Sequence, residues 1–203
     1  MAAAIDYYFA TQSPWAFLGH ERFVRIAREA GAKVSVRPVD FGRIFPASGG
    51  LPLGKRAPQR QAYRLVELRR FSDHLGVTMN VQPRFFPVNG DDASRLILAV
   101  AQADGDEAAL RLAGAVSSAL WQQERDIASA ETLAQLLSEN GLAAERLAQS
   151  REAAAQQRYD EYTAAALEAG VFGAPSYVVD GEIFWGQDRL DFLQRKLSEP
   201  KGD

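Results

Sequence analysis

The chain has 203 residues, of which 47% are hydrophobic and 24% are charged, and its formal net charge is −3. This length can bury the core of one sizeable domain, or of a scaffold domain with an insertion, and the composition is typical of a folded protein. The slight negative charge argues against nucleic acid as the main partner, and no apolar run reaches the roughly 20 residues that a membrane-spanning helix needs. Because the N-terminal residues also lack the basic start of a signal peptide, we expect a cytoplasmic protein.

The chain contains no cysteine, and this absence excludes a large group of functions. Disulfide scaffolds, thiolate zinc sites, iron–sulfur clusters, thiol nucleophiles and dithiol redox pairs all require cysteine. The two histidines, His20 and His74, lie far apart in the sequence, so we expect no metal site. Any thiol chemistry must therefore use a thiol that comes from outside the chain.

The N-terminal part of the chain has the pattern of a strand, a helix and a second strand. Residues 5–9 are rich in β-forming side chains, Ser13 and Pro14 form a good helix start, and a helical pattern continues over 15–30. Valines at 34–39 predict the second strand. Two strands joined by one helix form a βαβ unit, so we expect these strands to be parallel.

The middle of the chain is predicted to be an irregular loop followed by helices. Glycines, prolines and cations are concentrated in residues 42–58, which predicts a long loop. From 59 to 170 nearly every segment favours helix, and 143–169 predicts one long alanine-rich helix. Breaks are expected at four places before it: Gln82-Pro83, residues 87–91, Asp104-Gly105 and Asn140-Gly141.

Strand patterns return after Gly170. Residues 176–179 and 182–185 are apolar runs that flank Asp180-Gly181, which is a strong signal for a tight β-hairpin. A closing helix is predicted to follow from about residue 187. The order of elements therefore predicts an α/β fold in which an all-helical segment is inserted between a βαβ unit and a ββα unit.

Ser13 and Pro14 allow a structural and a functional interpretation. Serine is a good N-cap and proline is favoured at the first helical position, so the pair alone predicts a well-formed helix start. The turn also follows the carboxyl end of the first strand, where open α/β sheets bind ligands and the helix N–H groups favour an anion. A thiolate would fit there, and lowering its pKa by one unit corresponds to about 1.4 kcal/mol of preferential binding of the thiolate.

Two further motifs lie on either side of the hairpin. Gly173-Ala174-Pro175-Ser176 precedes it, and a proline at the start of a strand is well tolerated. Because only about 5–6% of X–Pro bonds in folded proteins are cis, the residues alone favour a trans bond before Pro175. In Trp185-Gly186-Gln187-Asp188-Arg189, which follows the hairpin, an acid such as Asp188 is common in a first helical turn, and packing alone could explain Trp185.

Together these motifs resemble those of a known family. The order of elements is similar to a thioredoxin fold, and the insertion resembles that of disulfide oxidoreductase A and of kappa-class glutathione transferases. Thr11-Gln12-Ser13-Pro14 occupies the place where redox relatives carry Cys-x-x-Cys. Over the whole chain, and most strongly at its two ends, the sequence resembles the 2-hydroxychromene-2-carboxylate isomerases, bacterial kappa-class members of aromatic degradation pathways. The resemblance is carried by Asp6-Tyr7-Tyr8-Phe9, Ser13-Pro14, Asp40-x-x-Arg43, Arg158-Tyr159-Asp160, the segment from Val171 to Pro175 and the segment from Trp185 to Leu190.

The resemblance implies two structural parts. Residues 1–42 and 171–203 would form a thioredoxin-like domain, and residues 43–170 would form a helical insertion. Because relatives of this kind are generally dimers, a homodimer is expected.

The resemblance also implies glutathione as the cofactor. Ser13 would be the catalytic residue that contacts the glutathione sulfur and holds it as a thiolate. Ala174, before a cis Pro175, would pair its backbone with the cysteinyl part of glutathione. Gln187 stands where the family has asparagine, which keeps the amide. The γ-glutamyl end would be held by Trp185, Gly186, Gln187 and Asp188.

The family reaction interconverts 2-hydroxychromene-2-carboxylate and trans-o-hydroxybenzylidenepyruvate. By analogy, the thiolate adds reversibly to the open-chain enone, rotation follows, and glutathione leaves unconsumed. Ser13 would not attack carbon itself, because neither histidine is placed to act as its base. The alternatives are a kappa-class glutathione transferase or peroxidase acting on another electrophile, and a non-catalytic thioredoxin-like binding protein.

One departure from the family lies on the substrate side. The isomerases carry a lysine two residues after the arginine that matches Arg43, and Phe45 stands at this position. Arg43, Lys55 or Arg56 could supply the positive charge, or the substrate has no carboxylate there. Gly54-Lys55 matches an Asn-Arg pair of the isomerases, and Phe86 matches a tyrosine. The predicted contacts of a small aromatic substrate are therefore Arg43, Phe45, Gly54, Lys55 and Phe86.

The remaining cationic side chains are expected to be structural. His20 lies within the first helix, and His74 lies near a helix end, where a cation is favourable. A basic stretch in the first part of the insertion predicts a solvated helix face, with a contact to a glutathione carboxylate as the less favoured alternative. This stretch consists of Arg56, Arg60, Arg64, Arg69 and Arg70.

Overall fold

The computed structural model describes residues 2–199, and its central element is a four-stranded sheet. The strand order is β2-β1-β3-β4, with β1 and β2 parallel and the other neighbours antiparallel. This arrangement confirms the predicted α/β fold with its βαβ and ββα units. The strands are β1 (Ala4–Phe9), β2 (Lys33–Pro38), β3 (Ser176–Val179) and β4 (Glu182–Trp185).

Helices form most of the rest of the chain between residues 2 and 199. One connects the parallel strands, one closes the described part of the chain, and the others lie between β2 and β3. In chain order they are α1 (Pro14–Glu29), α2 (Phe41–Ser48), α3 (Pro58–Leu75), α4 (Asp91–Asp104), α5 (Asp106–Trp121), α6 (Ala130–Glu139), α7 (Glu145–Gln149), α8 (Ala153–Glu168) and α9 (Leu190–Ser198).

The hairpin between β3 and β4 forms as predicted. Asp180 and Gly181 have φ values of 50° and 82°, and a type I′ turn requires positive φ at both of its central residues. The turn fixes the register in which Ser176 pairs with Trp185. The two motifs that flank the hairpin are therefore brought side by side.

The prediction of an irregular loop over 42–58 is wrong in its first half, because Phe41–Ser48 is helical. The Asp40 carboxylate caps this helix by accepting a hydrogen bond of 2.7 Å from a backbone N–H two residues on, and Gly49 ends it with a φ of 73°. Ile44 is fully buried. Burial of this apolar face outweighs the glycine and proline that made the segment resemble a loop.

The prediction of a single helix over 143–169 is also wrong. Two helices, α7 and α8, occupy this stretch, and the chain turns between them at Ser150. Ser150 is buried, and its hydroxyl donates to the carbonyl of Leu147 at 2.8 Å, a local bond of the kind that competes with helix continuation. The four breaks predicted earlier in the insertion are confirmed.

One hydrophobic core extends from the sheet into the insertion. It includes Ile5 and Tyr7 of β1 together with Leu96 of α4 and Leu120 of α5. Both of these helices pack against β2. No helix within residues 2–199 is long and apolar enough to cross a lipid bilayer. The predicted domain boundaries stay predictions, and Met1 and 200–203 lie outside the described residues.

Candidate functional site

Four segments of the chain meet at one edge of the sheet. Phe9 pairs with Pro38, so the turns after β1 and β2 lie at the same edge. Because β3 is antiparallel to β1, its first residue, Ser176, lies beside Tyr8, and the end of β4 at Trp185 lies beside Ser176. The segments that extend from this edge are 10–13, 39–45, 173–175 and 186–188.

Ser13 caps α1 at this edge. Its Oγ accepts a hydrogen bond from the Ala16 N–H at 3.2 Å, and its carbonyl accepts one from the Phe17 N–H at 3.0 Å. Within residues 2–199 the N–H of Trp15 has no hydrogen-bond partner. The structural interpretation of Ser13 is confirmed, and the Ser13 hydroxyl hydrogen and the Trp15 N–H stay available to an acceptor.

The loop before β3 presents an open backbone at the same edge. The Ala174–Pro175 bond is cis, so the trans bond favoured by the residues alone is wrong, and the cis bond implied by the resemblance is found. The Pro175 carbonyl accepts from the Gly186 N–H at 2.8 Å. In the described part of the chain, no hydrogen bond engages the backbone N–H or carbonyl of Ala174. These groups can pair with the backbone of a peptide ligand.

The Trp185 side chain packs over the loop that precedes β3. Its ring is 41% exposed and packs against Phe172, with ring centroids 4.9 Å apart. A Cβ at Gly173 would lie 2.3 Å from the Trp185 indole nitrogen, so a side chain at 173 would displace the ring. The carboxylate of Asp188 is exposed and pairs with its neighbour Arg189. The segment thus offers an aromatic face and an anion to a ligand.

Gln187 is buried, whereas its neighbours Trp185 and Asp188 are exposed. It is only 2% exposed, and its side-chain oxygen accepts from the Arg22 guanidinium of α1, which also donates to the Gln187 carbonyl at 2.6 Å. The Gln187 side chain therefore faces α1, and its contact with a ligand stays a prediction. No pattern in the sequence pointed to Arg22 as its partner.

The predicted substrate residues lie in three separate places in the structure. Arg43 forms an ion pair of 2.8 Å with Asp160, which joins the two motifs that contain them, and the Phe45 ring packs against Phe41 with centroids 5.5 Å apart. Gly54 and Lys55 are exposed, and no ion pair or side-chain hydrogen bond in the described structure joins Lys55 to the rest of the site. Their role stays a prediction.

Phe86, the last predicted substrate residue, belongs to the loop between α3 and α4. Its ring packs against Trp121 of α5, with centroids 5.0 Å apart. At the end of this loop the Gly90 carbonyl accepts from the Thr11 hydroxyl at 3.1 Å. The loop is therefore tied to the turn that holds Ser13.

We predicted that the basic stretch forms a solvent-exposed helix face, and this prediction is wrong at Arg64. Arg64 is 8% exposed, and burial, followed by the nearby charge of Arg56, lowers the pKa of its guanidinium to about 10. Its guanidinium carbon lies 5.1 Å from the centre of the Phe86 ring. The sequence carried a signal for this, because Arg64, Leu68 and Phe71 share one helical face. The other side chains of the stretch are exposed (Arg60, Arg69, Arg70) or half-buried (Arg56).

The two histidines lie away from this edge of the sheet. His20 is 6% exposed and lies against Gly114 of α5, where an added Cβ would be 2.6 Å from its Nε2. Burial lowers the pKa of His20, and the charge of Glu21 partly opposes this shift. His74 is exposed in the last turn of α3, as its predicted structural role requires.

Comparison with known proteins agrees with this fold. The profile of the DSBA-like thioredoxin domain family matches residues 4–198. The 2-hydroxychromene-2-carboxylate isomerases of Pseudomonas putida and Sphingobium xenophagum are each 30% identical, over 95% and 97% of this chain and 93% and 99% of their own lengths. The glutathione S-transferase kappa 1 of Rattus norvegicus is 25% identical over 96% of this chain and 91% of its own.

Solved structures give the same result. A 2-hydroxychromene-2-carboxylate isomerase superposes with a TM-score of 0.80 at 25% identity, covering 96% of this chain and 94% of the other. A probable DsbA oxidoreductase of Streptomyces coelicolor has the same fold, with a TM-score of 0.75 at 17% identity, covering 97% and 88%. The chain therefore belongs to the DSBA-like thioredoxin domain family and, within it, to the family of the 2-hydroxychromene-2-carboxylate isomerases.

Proposed function

We propose that this chain is a glutathione-dependent isomerase that interconverts 2-hydroxychromene-2-carboxylate and trans-o-hydroxybenzylidenepyruvate. The observation that carries the proposal is the Ser13 turn, which presents a hydroxyl and the Trp15 N–H at the sheet edge that also exposes the backbone of Ala174. This N–H has no hydrogen-bond partner among the described residues. The 30% identity to two isomerases over nearly the whole chain supports the same reaction.

The residues at the edge fit glutathione. The N–H and carbonyl of Ala174, which form no hydrogen bond within residues 2–199, can pair with its cysteinyl backbone, as an added strand pairs with a sheet edge. The exposed carboxylate of Asp188 can receive its α-amino group, and Trp185 provides an apolar wall beside it. The positive end of α1 and the Ser13 hydroxyl would then face its sulfur.

The chain's own residues perform two tasks in this reaction. Bound glutathione supplies a thiolate that can add reversibly to the enone of the open-chain isomer. Ser13 and the Trp15 N–H donate hydrogen bonds toward the sulfur position, which favours the ionised form and lowers the thiol pKa. Arg43 and Phe86 belong to the segments that would orient the aromatic keto acid.

The decisive experiment asks whether glutathione is recovered. The purified chain is incubated with glutathione and a panel of chromene carboxylates and simple electrophiles, and products and glutathione are quantified. We expect isomerised product with full recovery of glutathione. Stoichiometric consumption would instead establish the transferase or peroxidase alternative, which the similarity to the rat kappa-class enzyme keeps as the second candidate.

Ser13→Ala tests the assigned role of the hydroxyl. We expect the pKa of the bound thiol to rise by about one unit, equivalent to about 1.4 kcal/mol, with slower turnover while glutathione still binds. The matched control is Ser129→Ala, because Ser129 caps α6 in the same way by accepting from the Thr132 N–H. Both variants lose a cap worth about 1 kcal/mol of stability, and only Ser13→Ala should change the pH–rate profile. An unchanged profile would refute the role.

Calorimetry separates an enzyme from a binding protein without a cofactor. We expect glutathione to bind at millimolar concentration. If it does not bind, both glutathione-dependent activities fail together and the non-catalytic alternative gains support. We further propose a cytoplasmic homodimer that acts in aromatic compound catabolism, and light scattering of the purified chain tests the dimer.

A further inference from the structure

We propose that Arg64 and Trp121 form a carboxylate site that selects an aromatic 2-oxo acid as the substrate. This inference rests on the proposed function, because it names the part of the site that would recognise the acid group of that substrate. It also assigns the positive charge that Phe45 does not supply.

Two buried donors lack partners in this part of the molecule. Arg64 Nη2 and Trp121 Nε1 are both inaccessible to solvent, and within residues 2–199 neither has a hydrogen-bond partner. Arg64 takes part in no ion pair in the same part of the chain. A buried donor without an acceptor is costly, and a buried guanidinium without a counter-ion costs more. Such a pair of donors is suited to an anionic acceptor that arrives with a ligand.

The two donors belong to one cluster with Phe86. The Arg64 guanidinium carbon lies 5.1 Å from the Phe86 ring centre and 5.9 Å from the Trp121 ring centre, and the two rings are 5.0 Å apart. A cation bordered by two aromatic rings combines charge recognition with an apolar surface. This combination fits an aryl group that carries a carboxylate.

The cluster is connected to the Ser13 turn along two paths. Phe71, two turns after Arg64 on the same face of α3, packs edge-on against Trp15 with centroids 5.8 Å apart. Phe86 lies four residues before Gly90, whose carbonyl accepts from Thr11, so the chain between them spans at most about 14 Å. The Arg64–Trp121 cluster is therefore linked to the Ser13 turn by packed aromatic side chains and by the loop that ends at Gly90.

The other cations near this region are already engaged or exposed. Arg43 pairs with Asp160 at 2.8 Å, and Arg56 donates from Nε to the Leu51 carbonyl at 2.8 Å. Lys55 is exposed on a short turn. Arg64 is thus the cation of this region whose charge is buried and has no acceptor among the described residues.

The experiment measures binding without turnover. Trans-benzylidenepyruvate and its methyl ester are titrated by calorimetry, in the absence of glutathione, into the wild type and into Arg64→Met, Arg64→Lys and Trp121→Phe. We expect Arg64→Met to weaken binding of the acid about tenfold to hundredfold and to leave the ester unchanged. Arg64→Lys should keep part of the affinity, because it keeps the charge but loses the planar fork. Trp121→Phe removes the indole donor and keeps a ring, and should also weaken the acid selectively.

The control is Arg69→Met, which removes an exposed arginine from the same helix and should bind acid and ester as the wild type does. Equal losses for acid and ester, or no loss, would show that Arg64 only packs between the rings and would overturn the inference. In a separate titration of glutathione alone, a loss of affinity in Arg64→Met, with binding of the acid unaffected, would assign the site to a glutathione carboxylate and overturn the substrate assignment. Because no step needs glutathione, acid selectivity can be found even if the isomerase activity is not, so the two failures are distinguishable.

Discussion

The thioredoxin-like domain and the helical insertion contribute to the candidate site in different ways. The domain contributes the Ser13 hydroxyl and other side chains together with backbone groups, among them the N–H of Trp15 and the N–H and carbonyl of Ala174. The insertion contributes side chains, of which Arg64 and Phe86 are the clearest. Backbone groups are independent of residue identity as long as the fold persists, whereas a side-chain site changes with each substitution. Substitutions in the domain should therefore leave the backbone donors and acceptors of the candidate site in place, whereas substitutions in the insertion change the groups that it offers.

The largest effect is expected from a core substitution that tests whether the domain and the insertion unfold cooperatively. Leu120 is fully buried in α5, within the core that also contains β1. We expect Leu120→Ala to lower the free energy of unfolding by about 2–5 kcal/mol in a single transition, measured by denaturant unfolding with fluorescence and circular dichroism. Leu51→Ala, at a position that is 51% exposed, should change it little. Two separate transitions would show that the domain and the insertion unfold independently.

A pH-dependent effect of intermediate size is expected at the contact between the two parts. His20 of α1 is buried against α5, and burial lowers its pKa below the unfolded value of about 6.5. Its neutral form is therefore favoured in the folded state, and the resulting stability is complete above about pH 6.5 and declines as the pH falls further, by up to about 1.4 kcal/mol per unit. Unfolding measured at pH 7.5 and 5.5 should show a smaller decline in His20→Gln than in the wild type.

His74→Gln is the control for this measurement, because His74 is exposed at the end of α3. It should follow the wild type at both pH values. If His20→Gln retained the full decline, carboxylates elsewhere would be responsible and the titration assigned to His20 would be wrong.

The smallest expected effect concerns the ion pair between α2 and α8. Arg43 and Asp160 are 48% and 50% exposed and lie 2.8 Å apart. A double-mutant cycle with Arg43→Gln and Asp160→Asn should give a coupling of about 0.2–1 kcal/mol that falls with added salt.

The same variants sharpen the comparison of the two halves of the site. If Arg43 also contacts the substrate, Arg43→Gln should raise KM while glutathione affinity stays constant, and Asp160→Asn, which leaves the guanidinium unpaired, should not raise it. A raised KM in both variants would mean that the pair acts only by holding α2 in place.

The fold was largely predictable because its signals are local. The Asp180-Gly181 turn specifies a hairpin through the φ values that it requires, and Ser13-Pro14 specifies a helix start through capping. The segment that became α2 was mispredicted because its glycine and proline indicate a loop, whereas its stability comes from burying Ile44 against other parts of the chain. Local propensity does not contain that contribution.

The candidate site, like the fold, has features that local sequence predicts and features that depend on tertiary packing. The motifs around Ser13 and Pro175 were expected to meet, since adjacent strands of a sheet end side by side. Their role in holding glutathione followed from the family resemblance and stays a proposal. Two neighbours in space were not predictable. Arg22, which binds Gln187, is 165 positions away from it in the chain, and Trp121, whose ring lies near the Arg64 guanidinium, is 57 positions from Arg64. No local pattern links either pair.

The composition already establishes that any thiol in this protein's chemistry must come from outside the chain, because the chain has no cysteine and has Ser13 where related redox proteins carry one. The sequence also determined the order of strands and helices, because turns and caps are set by neighbouring residues. The sequence places Arg64 on the apolar face of α3, but its burial with no counter-ion among residues 2–199 became visible only in the packed structure. Burial depends on how α3, α5 and the loop between α3 and α4 pack, and packing is a property of residues that are distant in sequence and adjacent in space.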